Sequence, residues 1–187
     1  MNICVYCGAS RSVNGDYLQL ARDFGARLAE RGDTLVYGGA SIGMMGEVAR
    51  AVHAGGGRVV GVIPKTLVDK EISYHAADEL IVTDDMRQRK ALMDARSDAF
   101  VALPGGLGTL EEITEIMNQR GLKISLKPLV LLNLNNFYAP LFTFFEHLES
   151  AGFLHPNYRQ LYHPAPDVDD TFAFIDSGAG YLVDGRY

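Results

Sequence analysis

Cysteine is scarce: only Cys4 and Cys7 occur in the 187 residues. Their C-x-x-C spacing would suit a redox pair or half of a zinc site. The run around them reads as a β-strand, however, in which residues an odd number apart point to opposite faces. A second cysteine pair to complete a metal site is also missing, so buried, inert thiols are expected. The histidines (His53, His75, His147, His155 and His163) show no ligand spacing, and no metal site is expected. Long apolar runs are lacking as well, none approaching the roughly 18 residues of a membrane-spanning helix. The segment Met1 to Cys7 has neither the basic flank nor the long apolar stretch of a signal peptide, and a cytoplasmic protein is expected. Basic charge is short: 17 Lys and Arg stand against 23 Asp and Glu, a formal net charge of -6. As a whole such a chain repels nucleic acid and acidic membranes, so any bound anion must be held by locally placed donors.

What is present is ordinary globular composition, with 48% hydrophobic and 21% charged residues. Short apolar runs alternate with amphipathic stretches from end to end. Strands are expected at Ile3 to Tyr6, Thr34 to Tyr37, Arg58 to Ile63, Glu79 to Thr83, Ala99 to Leu103 and Leu129 to Asn133. Helices are expected from Tyr17 to near Gly32, Met45 to Ala54, Asp85 to Arg96, after Thr109 to about Arg120, and Tyr138 to Ala151. The tail carries Pro156, Pro164 and Pro166 and a last short helix near Asp170 to Asp176. Strands apolar throughout and separated by helices imply a mainly parallel sheet covered on both faces. The expectation is an α/β fold: a single doubly wound, Rossmann-like domain over residues 1–187, binding ligand beyond the carboxyl ends of its strands.

Two glycine-rich loops follow such strand ends. Pro104-Gly105-Gly106-Leu107-Gly108-Thr109 combines close backbone approach with a following helix whose first amides and dipole favour phosphate. It is neither a Walker loop nor a G-x-G-x-x-G fingerprint. A bland reading competes: Thr109 as N-cap and Glu112 at the third helical position would form a capping box. The earlier loop, Gly38 to Gly46, serves tight packing equally well. On the helix Asp85 to Arg96, the residues Met86, Arg89, Leu92, Met93 and Arg96 share one face at helical spacing. Arg89 therefore stands in an apolar stripe, where a guanidinium needs an anionic partner and its planar fork suits phosphate. The alternative is that it snorkels or pairs with a carboxylate.

Pro104 to Glu112 matches P-G-G-x-G-T-x-x-E, and Met86-Arg87-Gln88-Arg89-Lys90 with Met93 matches M-x-x-R-K-x-x-M. Cys7-Gly8-Ala9-Ser10 and Tyr37-Gly38-Gly39 through Met45-Gly46 complete a pattern over about residues 2 to 155. Together they resemble the Lonely Guy (LOG) family of cytokinin riboside 5′-monophosphate phosphoribohydrolases, often labelled lysine decarboxylase-like. The resemblance implies hydrolysis of the N-glycosidic bond of an adenine-type nucleoside 5′-monophosphate, such as AMP, to free base and ribose 5-phosphate, without a cofactor. It implies Arg89 and Glu112 as the catalytic pair. Substrate would be bound by Ser10, Gly39, Met86, Lys90, Gly105, Gly106, Gly108 and Thr109, in a homodimer. The same superfamily resemblance takes in carriers of molybdenum cofactor, which need the phosphate loop but not that pair. A decarboxylase would need a Schiff-base lysine, and Lys90, the only lysine in a motif, reads as an anion partner. The sequence departs from the family after Glu112: it has no tryptophan, and Ile116 to Leu126 replaces the usual Gln-Leu-Gly-x-His-like stretch. Ala40 also stands where a third glycine is common.

Overall fold

The computed structural model describes residues 1–68 and 72–181. In chain order they form β1 (Asn2–Tyr6), α1 (Gly15–Glu30), β2 (Thr34–Tyr37), α2 (Gly43–Ala54), β3 (Val59–Pro64), α3 (Lys65–Val68), β4 (Glu79–Thr83) and α4 (Met86–Ala95). There follow β5 (Ala99–Ala102), α5 (Leu107–Gly121), β6 (Leu129–Leu132), α6 (Ala139–Ser150), β7 (His163–Ala165) and α7 (Val168–Asp176). The strands lie in one sheet in the order β4-β3-β2-β1-β5-β6-β7, a Rossmann-like α/β topology. Registers are parallel, with Ile3 opposite Leu35, Val36 opposite Val60, Val62 opposite Ile81 and Leu131 opposite Pro164.

Burial explains why these runs became strands. Every residue of β3, β5 and β6 is buried, as a parallel sheet covered on both faces requires. The edge strand β4 buries only Thr83. Cys4 and Cys7 are buried, as expected.

The chain divides into two compact units, residues up to Phe100 and residues from Val101 onward. In the first, α1 lies close against α2: a Cβ on Gly25 would stand 2.6 Å from the Val48 carbonyl oxygen. In the second, Tyr138, Phe142, Phe145, Tyr158 and Tyr162 form a cluster of rings with centroids 5.4 to 6.5 Å apart. Tyr138 places its hydroxyl on the Leu103 carbonyl at 2.7 Å, which satisfies its polar end.

Several elements differ from the expectation, among them α3, which was not expected. Pro64 is the last residue of β3 rather than its stop, and α5 begins at Leu107, before Thr109. The edge strand β7 was not expected, because three residues centred on Pro164 carry a turn signal rather than an apolar run.

Candidate functional site

The first unit holds Arg89. Helix α4 starts where Asp85 caps it: the Asp85 carboxylate accepts from the Gln88 N–H at 2.8 Å, and the Gln88 amide oxygen accepts from the Asp84 N–H at 2.8 Å. This fixed start directs Arg89 inward. Its side chain is only 4% exposed, and its Nε donates to the Val62 carbonyl at 3.1 Å, near the carboxyl end of β3. The stripe is narrower than the helical spacing suggests. Arg89 and Met93 are buried, whereas Met86 is 45% exposed and Arg96 turns out to pair with Glu79 at 2.7 Å. Arg96 lies just past the end of α4, as its C-cap, and within the helix only Arg89 and Met93 are buried. Lys90 is half-buried.

The first glycine loop sits beside this arginine. A Cβ on Gly38 would stand 2.2 Å from Arg89 Nη2. Gly39 has φ +75 and Gly43 φ +56, a region that side chains other than glycine's rarely occupy. A Cβ on Gly43 would also come within 2.6 Å of the Ser10 carbonyl, so the exposed Ser10 is held against the start of α2. Backbone conformation therefore calls for glycine at both positions, and close packing adds to it at Gly43.

A clasp that the sequence did not suggest closes over the same loop. Ser41 donates its N–H to the Ile72 carbonyl at 2.7 Å, and Tyr74 donates its N–H to Gly39 at 2.8 Å. Ala40 and Ser73 form an antiparallel bridge. The clasp is tied to α2 by His53, whose ring nitrogens lie 2.9 Å from the Tyr74 hydroxyl and 3.0 Å from an Asp78 carboxylate oxygen. Asp78 also accepts from the Val59 N–H at 2.7 Å, and that bond, with His53, holds its carboxyl below the usual aspartate range. Residues 53, 74 and 78 share no motif spacing, so only the fold brings them together.

The second unit holds the other glycine loop. Helix α5 begins on N-cap Gly106, and among the described residues no side chain caps it. Thr109 is thus the third helical residue and Glu112 lies in the second turn, which overturns the capping-box reading. The helix starts earlier than that reading required. Both side chains are buried, Thr109 at 4% and Glu112 at 5% exposure. Thr109 packs into the space that glycine leaves at position 105, where a Cβ would stand 2.1 Å from its Oγ1. Gly106 and Gly108 are exposed, and a Cβ on either would meet nothing within 4 Å. Neither lies at positive φ. The fold does not require glycine there. What their bareness provides is open approach to the first-turn amides of α5.

A family model described as "Possible lysine decarboxylase" matches residues 45–175. A probable cytokinin riboside 5′-monophosphate phosphoribohydrolase of Oryza sativa subsp. japonica is 47% identical over 166 residues, covering 89% of this chain and 73% of its own. A cytokinin riboside 5′-monophosphate phosphoribohydrolase of Arabidopsis thaliana is 46% identical over 177 residues, covering 95% of this chain and 82% of its own. The chain belongs to the Lonely Guy family. Among solved structures, the Moco carrier protein from Chlamydomonas reinhardtii aligns with TM-score 0.71 at 27% identity, covering 97% of this chain and 98% of that one. The molybdenum cofactor binding protein from Rippkaea orientalis aligns at TM-score 0.73 and 23% identity, covering 94% and 95%, a likeness of fold.

In this Lonely Guy chain the structure shows what the residues from the end of α5 onward do. Arg120 is 1% exposed and donates to the carbonyls of Leu161 at 2.7 Å, Leu126 at 3.0 Å, Gln160 at 3.1 Å and Gly180 at 2.8 Å, and also to that of Lys127. Burial pulls its pKa down to about 10. Lys123, just past the end of α5, adopts φ 55, a backbone region that residues other than glycine rarely occupy. Among the described residues no cluster of His, Cys, Asp or Glu could hold a metal ion, and no helix is long and apolar enough to cross a membrane.

Proposed function

We propose that this protein hydrolyses the N-glycosidic bond of adenine-type nucleoside 5′-monophosphates, including AMP and cytokinin riboside monophosphates. Water adds to C1′, the bond from C1′ to the base nitrogen breaks, and free base leaves with ribose 5-phosphate. The observation that carries this reading is Glu112: a buried carboxylate three residues past Thr109, on a helix whose start is left open by Gly106 and Gly108. The names of relatives sharing 46–47% of the sequence support the same reaction.

In this reading the amides of the Gly105–Thr109 loop take the 5′-phosphate, aided by the dipole of α5. Glu112 faces the positive, oxocarbenium-like charge that grows on the ribose and orients the attacking water. Arg89, oriented through Val62, supplies fixed positive charge and a planar fork to the oxygens of the substrate. Ser10, Gly39, Met86 and Lys90 complete the binding surface. We place the reaction in the cytoplasm and in a homodimer.

The test is direct. Purified protein is incubated with AMP and with isopentenyladenosine 5′-monophosphate, and free base and ribose 5-phosphate are assayed. Glu112→Gln is expected to retain nucleotide binding while kcat falls at least about tenfold, where losing one electrostatic group commonly costs about a hundredfold or more. Undiminished turnover in that variant would remove Glu112 from the mechanism. Tight binding without release in the wild type would instead favour a carrier role like that of the molybdenum cofactor proteins.

A further inference from the structure

Gly38 has no conformational reason to be glycine. Its φ lies outside the left-handed region, so alanine fits the backbone. What an added Cβ would meet is Arg89 Nη2, at 2.2 Å. Its other close neighbours are Met45 Cε at 3.2 Å and Sδ at 3.3 Å, the free end of a flexible thioether that gives way cheaply. Arg89 has less freedom, being 4% exposed and held through Nε by the Val62 carbonyl at 3.1 Å. Ordinary contact distance is about 3.5 Å, so one methyl group at position 38 must push the guanidinium fork aside by about 1 Å.

We infer that Gly38 is a positioning residue for Arg89: the missing side chain at the end of β2 is the space in which the guanidinium is aimed. The inference deepens the proposed function, since it rests on Arg89 acting on substrate. It assigns a role to a glycine of the first loop that tight turns and helix packing leave unexplained. Gly38→Ala needs no change of backbone conformation, and of its close neighbours Arg89 must move furthest while Met45 gives by a few tenths of an ångström. A catalytic group displaced by about 1 Å can lose about a hundredfold in rate.

The test is a double-mutant cycle on the full chain with Gly38→Ala, Arg89→Lys and the double variant. Lysine keeps the charge but has no second branch to meet the new methyl. Kinetics with AMP and thermal unfolding are both read. Gly38→Ala alone is expected to lower kcat at least about tenfold and Tm by about 2–4 °C. In the Arg89→Lys background the same change is expected to alter neither. Equal losses in both backgrounds, or a Gly38→Ala protein as active and stable as wild type, would overturn the inference. Should Gly38→Ala fail to fold, recovery of folding in the double variant supports it, and failure of the double variant overturns it. If the wild type releases no base from any nucleotide, the catalytic reading of Arg89 fails, while the cycle in Tm still decides whether Gly38 sets the arginine.

Discussion

At Gly105 an added Cβ would collide with Thr109, whereas at Gly106 and Gly108 it would enter open space. One residue type therefore answers two demands within four positions. Gly105 serves the fold, and the other two leave the helix start bare. Gly108→Ala is accordingly expected to fold with wild-type stability, helix propensity even favouring alanine, while KM for AMP rises about tenfold through loss of one phosphate contact. Circular dichroism, thermal unfolding and initial rates on the purified variant check this; an unchanged KM would free Gly108 from phosphate binding. The sequence made this loop conspicuous but could not sort its glycines, because Thr-x-x-Glu fits a helix starting at Thr109 as well as one starting at Leu107. The ambiguity is settled by Gly106, which caps α5 through its backbone alone. Arg89 was legible from helical spacing. The exposure of Met86 was not, since periodicity gives a face but not how much of that face is covered.

Among elements, the clasp over Gly39–Ser41 shows what pattern reading misses. Its three anchors, His53 on α2, Tyr74 and Asp78, join parts of the chain that carry no common motif. The Asp78 carboxyl is held below its ordinary range by the Val59 amide and by His53. A lowered carboxyl pKa contributes stability that is complete above the unfolded-state value and lost as pH falls through the folded one. Asp78→Asn is therefore expected to lower the urea midpoint at neutral pH, with the gap to wild type closing as pH falls below the ordinary aspartate value and through the lowered folded-state one. A gap that persists unchanged in acid would mean that the carboxylate charge contributes nothing to the clasp. Helix α4 was easier to read than the clasp, because Asp85 and Gln88 sit at capping distance along the chain.

For the molecule as a whole, the alternation of apolar runs with amphipathic stretches was enough to read a parallel sheet, since strands buried on both faces leave no polar positions. The strand order was not readable in this way, and neither was β7. Arg120 was read only as the end of a helix, yet its guanidinium gathers carbonyls from residues 126–127, 160–161 and 180. Arg120→Met is expected to cost on the order of 3 kcal/mol by stranding these acceptors, which chemical denaturation measures directly; a loss under about 1 kcal/mol would mean that water takes the place of the guanidinium. Strand β7 has a consequence of another kind. Ala165 accepts from the Asn133 N–H at 2.7 Å, so Ala165 and, two residues back, His163 face β6. Pro164 between them faces outward along the border of the sheet, and its nitrogen carries no hydrogen. A stray strand arriving at that border finds no amide to pair with at its centre, which blunts this edge against pairing with another chain.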